Sequence, residues 1–133
     1  MPFVMKLTEK AMKLIDGKNF ASVATLMPDG SPQVAPVWID RDEDIILLNA
    51  ARSRQRTRNL SRDPRVAICI YDQNNPYSNV LIRGRVLEIT EKGAESHIDK
   101  MNMKYHRKPK YPYHVPSDPR VLIKVQAKRI HEM

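Results

Sequence analysis

Hydrophobic positions alternate with polar ones along most of this chain, and they follow a helical period in only three short stretches. Leu7, Ala11, Leu14 and Ile15 stand at i, i+4, i+7 and i+8, which marks one face of a helix over 7–16. Thr8 is placed to cap that helix and Gly17 to stop it. The segments "FASVATL" (20–26) and "QVAPVWI" (33–39) read as strands on either side of the turn signal "MPDGSP" (27–32), so 20–39 is a hairpin. Pro36 gives its strand an edge or a bulge, because proline donates no ladder hydrogen bond. An acidic turn, "DRDED" (40–44), leads to "IILLN" (45–49), and the three strands are expected to form a meander. "RQRTRNLSRD" (54–63) suits a helix of about two turns ended by Pro64; Leu60 is its one large apolar residue, so it covers little core.

"RVAICIYD" (65–72) is a buried type of strand, "QNNPYSN" (73–79) a loop, and "VLIRGRVLEIT" (80–90) a long strand. Val80, Ile82, Gly84 and Val86 share one of its faces, and Leu81, Arg83, Arg85 and Leu87 the other. Gly84 predicts a bulge or a sharp bend of the kind that curls a sheet. A helix follows from Glu91 to Tyr105, with Ala94, Ile98, Met101 and Tyr105 as its stripe. "HRKPKYPYHVPSDP" (106–119) is longer than most connections and has the character of a functional loop or lid. "RVLIKVQAKRIHEM" closes the chain as a strand. Six to seven largely antiparallel strands with helices at the periphery predict a mainly β protein, a small barrel formed by one domain over 1–133.

Charge sharpens this picture. The formal charge is +8, and residues 52–65, "RSRQRTRNLSRDPR", supply +5 of it through six arginines against Asp63 alone. A local excess points to an anion, whereas a spread excess points to solubility. Cys69 is the one cysteine, which rules out an intrachain disulfide and suits a reducing cytoplasm. The sequence has no apolar run of the roughly twenty residues needed to cross a bilayer, and its start carries no apolar signal core. A cytoplasmic protein without a membrane partner is therefore expected.

The usual catalytic motifs are missing. His97, His106, His114 and His131 are scattered without metal-ligand spacing, and they read as surface histidines. Cys69 in "AICIY" reads as a small buried hydrophobe, and there is no G-x-S-x-G. Four glycines cannot build a phosphate cradle, so a phosphate must be held by side chains or by a helix N-terminus. Arg52 and Arg54 stand before or at the opening of the 54–63 helix, where a guanidinium fork and free backbone N–H groups can act together. The alternatives are a solvated helix face and a polyanion site. Nucleic-acid binding asks for aromatics among the basic residues; there are none between Trp38 and Tyr71, although Lys104–Tyr111 does interleave them.

Taken in order, "FASVATLMPDGSPQVAPVWI" and "LLNAARSRQRTRNLSRDPRVAICIYDQNNPYSNVLIRGRVLEIT" resemble the pyridoxamine 5′-phosphate oxidase-like split β-barrel flavoproteins. "HIDKMNMKYHRKPKYPYHVPSDPRVLIKV" is similar to the subgroup of reductases that use the deazaflavin F420. The resemblance spans about residues 8–131 and rests on the order and spacing of these stretches. It implies a homodimer with cofactor sites between the subunits, and either F420 or FMN as cofactor. Ala35, Pro36, Val37 and Trp38 would line the ring, and Asn49 and Ala50 would contact the ring or the ribityl chain. Arg54, Gln55 and Arg56 would hold the phosphate, and Asn79 would add a polar contact from the long strand. Family members often carry Ser/Thr-Arg-Lys where this chain has Arg54-Gln55-Arg56, which keeps the charge and changes the fork geometry. The chain also lacks the longer C-terminal part of a true pyridoxamine phosphate oxidase, so that substrate is not expected.

The expected activity is hydride transfer between the cofactor and a small organic substrate. That chemistry belongs to the cofactor and needs no protein nucleophile or metal. A carrier or sensor without turnover, or a polyanion-binding barrel, is the alternative. Arg52 and Arg58 are read as supporting the field at the phosphate, and Arg62 and Arg65 as structural. Six arginines exceed the need of one phosphate, which favours the more acidic F420.

Overall fold

The computed structural model describes residues 4–133, and the elements run in an order close to the one read from the pattern. They are α1 (Glu9–Asp16), β1 (Ala21–Leu26), β2 (Pro32–Val37), β3 (Asp40–Asp42), β4 (Ile45–Ala51), α2 (Gln55–Arg62), β5 (Arg65–Asp72), β6 (Asn75–Thr90), α3 (Ala94–His106) and β7 (Arg120–Glu132). The seven strands make one sheet in the order β2-β1-β5-β6-β7-β4-β3, with every pair antiparallel.

The β1–β2 hairpin forms as the Pro-Asp-Gly signal predicts. Gly30 takes φ +86°, where a side chain is disfavoured, and Asp29 accepts from the Ser31 backbone N–H at 2.9 Å. Pro36 lies on the edge strand, opposite Ser22, where its missing N–H disrupts no ladder. The expected meander does not form. β4 pairs with β3 and β7 and not with β2, because Trp38 and Ile39 carry the chain off one edge of the sheet and onto the other. The acidic turn is itself the short strand β3, joined to β4 through Glu43 at φ +53°. The loop expected at 73–79 is mostly strand. Asp72 accepts from the Asn74 backbone N–H at 2.7 Å, which makes a tight turn, and β6 starts at Asn75.

The sheet curls until its two edges share a core. Val37 and Ile39, at the β2 end, lie in the same buried cluster as Ile46 and Leu48 of β4, together with Val23, Ile68, Ile70, Val80, Ile82, Val121, Ile123 and Val125. This is the barrel that the pattern predicts, in the split form that the resemblance implies. α1 caps it, burying Ala11, Leu14 and Ile15 against β3, β5 and β6. The Thr8 hydroxyl accepts from the Ala11 backbone N–H at 3.1 Å, as expected of an N-cap.

Two features let the curl happen. β6 is 16 residues long and pairs with both β5 and β7, so it belongs to both halves of the barrel. Its register against β7 shifts between Arg83 and Gly84, at the glycine that the sequence singles out. A Cβ at Gly84 would stand 2.7 Å from the Gln126 carbonyl oxygen and 2.8 Å from Val125 Cγ1. Gly84→Ala is therefore expected to destabilise the protein by about 1–3 kcal/mol, because the obstructing atom is backbone and cannot swing away. Urea unfolding measures this, and an unchanged midpoint would mean that the two strands are not held this closely.

Candidate active site

α2 is docked by polar bonds, since Leu60 is its one large apolar anchor. Asn59 is fully buried; its amide donates to Thr25 Oγ1 at 2.9 Å and accepts from Gln55 at 2.8 Å. Thr57 Oγ1 donates to the Ala51 carbonyl at 2.9 Å. The helix opens at Arg54 with no side-chain cap and no acid in its first turn. Its N-terminal N–H groups and positive dipole end are thus left for an anion.

That end of α2 faces a cleft of about 580 Å³ between the barrel and α3. Arg54, Arg56, Lys108 and Arg120 line it, and no aspartate or glutamate does. Phe20, Pro36, Val37 and Trp38 line it from the barrel, and Ile98, Met101 and Asn102 from α3. Tyr111, Pro112 and Tyr113 reach in from the long loop. The aromatic end is ordered by stacking. Trp38 lies parallel to Tyr105 at 5.0 Å between ring centroids, and His106 and Tyr111 meet it edge-on at 5.1 and 6.3 Å.

α3 is pinned to the barrel beneath this aromatic wall. The Tyr105 hydroxyl donates to the Asn19 carbonyl at 2.6 Å and accepts from the Ile39 backbone N–H at 3.1 Å. Burial pushes its pKa up, so it stays a phenol. Lys104 Nζ donates to the carbonyls of Ile15 and Ile39, at 2.6 and 3.0 Å. The long loop is tied down as well: Asn102 donates to the Lys108 and Lys110 carbonyls, and Asp99 accepts from the Tyr111 backbone N–H at 2.8 Å.

The cationic end is built from like charges. Burial lowers the pKa of the Arg56 guanidinium, and the nearby Arg54 and Arg120 push the same way. Arg56 Nε is buried without a hydrogen-bond partner. Arg120 is half-buried, its Nε donates to Asn49 Oδ1 at 2.9 Å, and its guanidinium lies 5.1 Å from the Tyr111 ring centroid. An unpaired buried donor beside two further guanidiniums is costly unless an anion joins them.

Behind Asn49 runs a chain of hydrogen bonds. Since Asn49 Oδ1 accepts from Arg120, its Nδ2 donates to the Ala94 carbonyl at 2.9 Å and to His97 Nδ1 at 3.1 Å. His97 Nε2 then carries a proton, which it donates to Asp40 Oδ2 at 3.0 Å. Lys100 stands 3.3 Å from the same oxygen. Burial opposes ionisation of Asp40, but the His97 bond, the Arg41 backbone N–H and Lys100 outweigh it and hold the carboxyl at about 2.

Six of the residues singled out in the sequence meet at this cleft: Pro36, Val37, Trp38, Asn49, Arg54 and Arg56. Four do not. Ala50 is fully buried in the barrel core. Ala35 shares the inward side of β2 with Val37 and is half-buried. The Gln55 side chain is bonded to Asn59 and Arg58. Asn79 lies on β6, opposite Tyr71, with its amide donating to Pro76.

Arg62 and Arg65 have the structural use expected of them, whereas Arg52, expected to support the field at the phosphate, is paired within the protein. Arg52 pairs with Glu91, Arg62 donates to the Leu26 carbonyl, and Arg65 pairs with Asp63 at 2.8 Å. These charges are answered by the protein itself and give no argument for a more acidic cofactor. Two further expectations change. His97 is buried and not on the surface, and Cys69 is half-buried on the outer side of β5 and not in the core. The Lys104–Tyr111 stretch is divided: Lys104 and Tyr105 hold α3 to the barrel, and Lys108 and Tyr111 line the cleft.

Sequence reasoning missed Arg120 and misplaced His97 at the surface, while Lys108 and Tyr111 belong to the basic, aromatic 104–111 stretch that it offered as a lining for an acidic cofactor. Arg120 opens the last strand opposite Ala51, the residue just before the arginine stretch. Only the strand pairing reveals that neighbourhood. Among the described residues no cluster suits a metal ion, and no helix is long and apolar enough to cross a membrane.

A curled antiparallel sheet with an acid-free cleft, cationic at one end and aromatic at the other, defines a split barrel of the flavin- and deazaflavin-binding type. The chain belongs to the pyridoxamine 5′-phosphate oxidase family, whose model matches residues 7–133. Among solved structures it is similar to an F420 reductase, with 28% identity, a TM-score of 0.83, and 96% of this chain and 100% of that one covered. It also resembles the conserved hypothetical protein Rv2991 of Mycobacterium tuberculosis, at 21% identity and TM-score 0.70, covering 96% and 84% of the two chains. HupZ of Group A Streptococcus shares the fold at 20% identity and TM-score 0.69, with 96% and 94% covered.

Asp40 gives the site a pH signature. Its carboxyl ionises at about 2 in the folded protein against 3.8 ordinarily, so its contribution is complete above the ordinary value and is lost as pH falls towards 2. The shift corresponds to about 2 kcal/mol. Asp40→Asn should lower stability at neutral pH by about 1–2 kcal/mol and flatten the loss below about pH 4. Denaturation at stepped pH reads this out, and a variant with an unaltered acid limb would show that Asp40 is not held by His97 and Lys100.

Proposed function

We propose that this protein is an oxidoreductase that binds F420 or FMN and transfers hydride between that cofactor and a small organic substrate. One observation carries the reading: the cleft gathers Arg54, Arg56, Lys108 and Arg120 at an uncapped helix N-terminus, opposite an aromatic wall, without an acid. The donor set fits a phosphorylated planar cofactor. Arg54, Arg56 and the first turn of α2 would hold the phosphate, and Trp38 with its neighbours would hold the ring. Bound there, the cofactor supplies the hydride chemistry. The protein's part is to bind, to orient and to exclude water. The similarity to an F420 reductase supports the deazaflavin, and family membership supports FMN.

The working unit is proposed to be a homodimer. Val34 and Leu81 are 67% and 44% exposed on the outer side of the barrel, over a groove of about 630 Å³ that Ser22, Ala24 and Cys69 also line. Asn79 stands on the same side of β6 as Leu81, two residues away. On a face covered by a second copy, Asn79 is free to serve the partner's cleft rather than its own.

Titration with each cofactor, followed by fluorescence, tests the binding. Wild type should bind at least one at micromolar concentration, and Arg56→Ala should weaken that binding about 10- to 100-fold, the worth of a charge-assisted hydrogen bond. If neither cofactor binds, the function proposed here is wrong. Binding without steady-state reduction of any substrate would leave a carrier or sensor, and strong, salt-dependent binding to DNA without cofactor binding a polyanion protein. Light scattering should give the mass of a dimer, and Leu81→Glu should shift it towards the monomer.

A further inference from the structure

We propose that Arg120 is a third ligand for the anion bound at Arg54 and Arg56, and that Asn49 is its positioning residue rather than a contact to the cofactor. The assignment rests on the cofactor reading above and assigns a role to a residue outside the arginine stretch.

The Asn49 amide has two N–H groups, and both are used, on the Ala94 carbonyl at 2.9 Å and on His97 Nδ1 at 3.1 Å. Its Oδ1 faces Arg120 Nε at 2.9 Å. Little is left to touch a ring or a ribityl chain. The amide cannot flip either, because a flip would set its N–H groups against the Arg120 donor and its oxygen against two acceptors. Asp40, fixed by Lys100 at 3.3 Å, holds His97, and His97 in turn fixes the amide.

The effect of this chain falls on Arg120. One bond at Nε and the Tyr111 ring beneath the guanidinium fix the plane of the fork. Burial works against the charged form of this guanidinium and Arg54 adds to that, while the Tyr111 hydroxyl and the Asp118 carboxylate favour it. Asp118, the nearest acid in sequence, is committed to the Ser53 backbone N–H at 3.0 Å and to its hydroxyl. Among the described residues no carboxylate forms an ion pair with Arg120. Arg120 lines the cleft with Arg54 and Arg56, close enough for each to act on the others' charge. A planar fork held in place at the cleft wall suits a bidentate grip on a tetrahedral anion.

The experiment compares cofactors with and without the phosphate: FMN against riboflavin, and F420 against the same deazaflavin lacking its phosphate. Arg120→Met should weaken the phosphorylated form about tenfold or more and leave the phosphate-free form unchanged. Arg120→Lys keeps the charge but loses the fork and the Asn49 bond, so it should recover only part of the loss. Asn49→Ala should act in the same direction with a smaller loss, and should add nothing when combined with Arg120→Met. Thermal unfolding of each variant separates a lost ligand from a lost fold.

Equal affinity of wild type and Arg120→Met for the phosphorylated form would overturn the assignment. So would an equal loss for both forms, which would make Arg120 a ring contact or a structural residue. A further loss from Asn49→Ala in the Arg120→Met background would return Asn49 to direct contact. Wild type that binds no phosphorylated form at all would sink the cofactor reading itself, and the assignment with it.

Discussion

The site depends on the curl of one sheet. Trp38 leaves β2 at one edge, and Asn49 sits on β4, five strands away in the hydrogen-bonded order. In a flat sheet five strand spacings would separate them by about 24 Å. In the protein both line the same cleft. The barrel closes because β6 bends at a glycine, and because the segment 38–39 crosses between the edges with Ile39 buried in the shared core. The cleft is thus a product of closure, and a change that opens the barrel would dismantle the site without touching a single ligand.

Closure also explains how the protein tolerates its own charge. Three guanidiniums converge at the cleft, and partly buried like charges at contact distances repel by about a few kcal/mol. The protein answers the other arginines next to this cluster within itself. Arg52, Arg62 and Arg65 are bonded to protein acceptors, and Lys104 closes carbonyls at the junction of α1 and α3. Arg54, Arg56 and Arg120 are left without an ion pair among the described residues where α2 presents its N-terminus. An anion bound there removes the repulsion and stabilises the fold by mass action. The arginine-rich stretch therefore divides in two, with Arg54 and Arg56 turned to the cleft and the others holding α2 and its flanks in place.

The sequence revealed the elements and half the site, and the division has a physical cause. Period-two strands, the Asp-Gly turn, the Thr8 cap and the Gly84 bend are local features, written in neighbouring residues, and each is found in the structure. The cationic side of the cleft was legible because Arg54 and Arg56 are two residues apart at a helix start. Arg120 and His97 were not, because they reach Asn49 only through strand pairing and helix packing at separations of 71 and 48 residues. The meander failed for the same reason: nothing in 33–49 announces that β4 will pair with a strand that begins at Arg120. The 73–79 segment misled in the opposite way, since its Asn and Pro residues signal a loop while Asp72 closes a tighter turn upstream.

The long loop completes the argument about what kind of site this is. A run of 13 residues between α3 and β7, rich in proline, reads from sequence as a lid. In the structure it is tied at Asn102 through two carbonyls, at Asp99 through the Tyr111 N–H, and at Ser53 through Asp118. Asn102 and Asp99 belong to α3, which Lys104 and Tyr105 fasten to the barrel. Roof, wall and barrel are therefore joined through one helix. A cleft assembled this way is preorganised: Tyr111 is held over Arg120 before any ligand arrives, and little ordering cost remains for binding to meet. Variation among such proteins in what they accept would then arise at side chains that point from this roof, Tyr113 and Pro112 here, while the ties behind them keep the anion end unchanged.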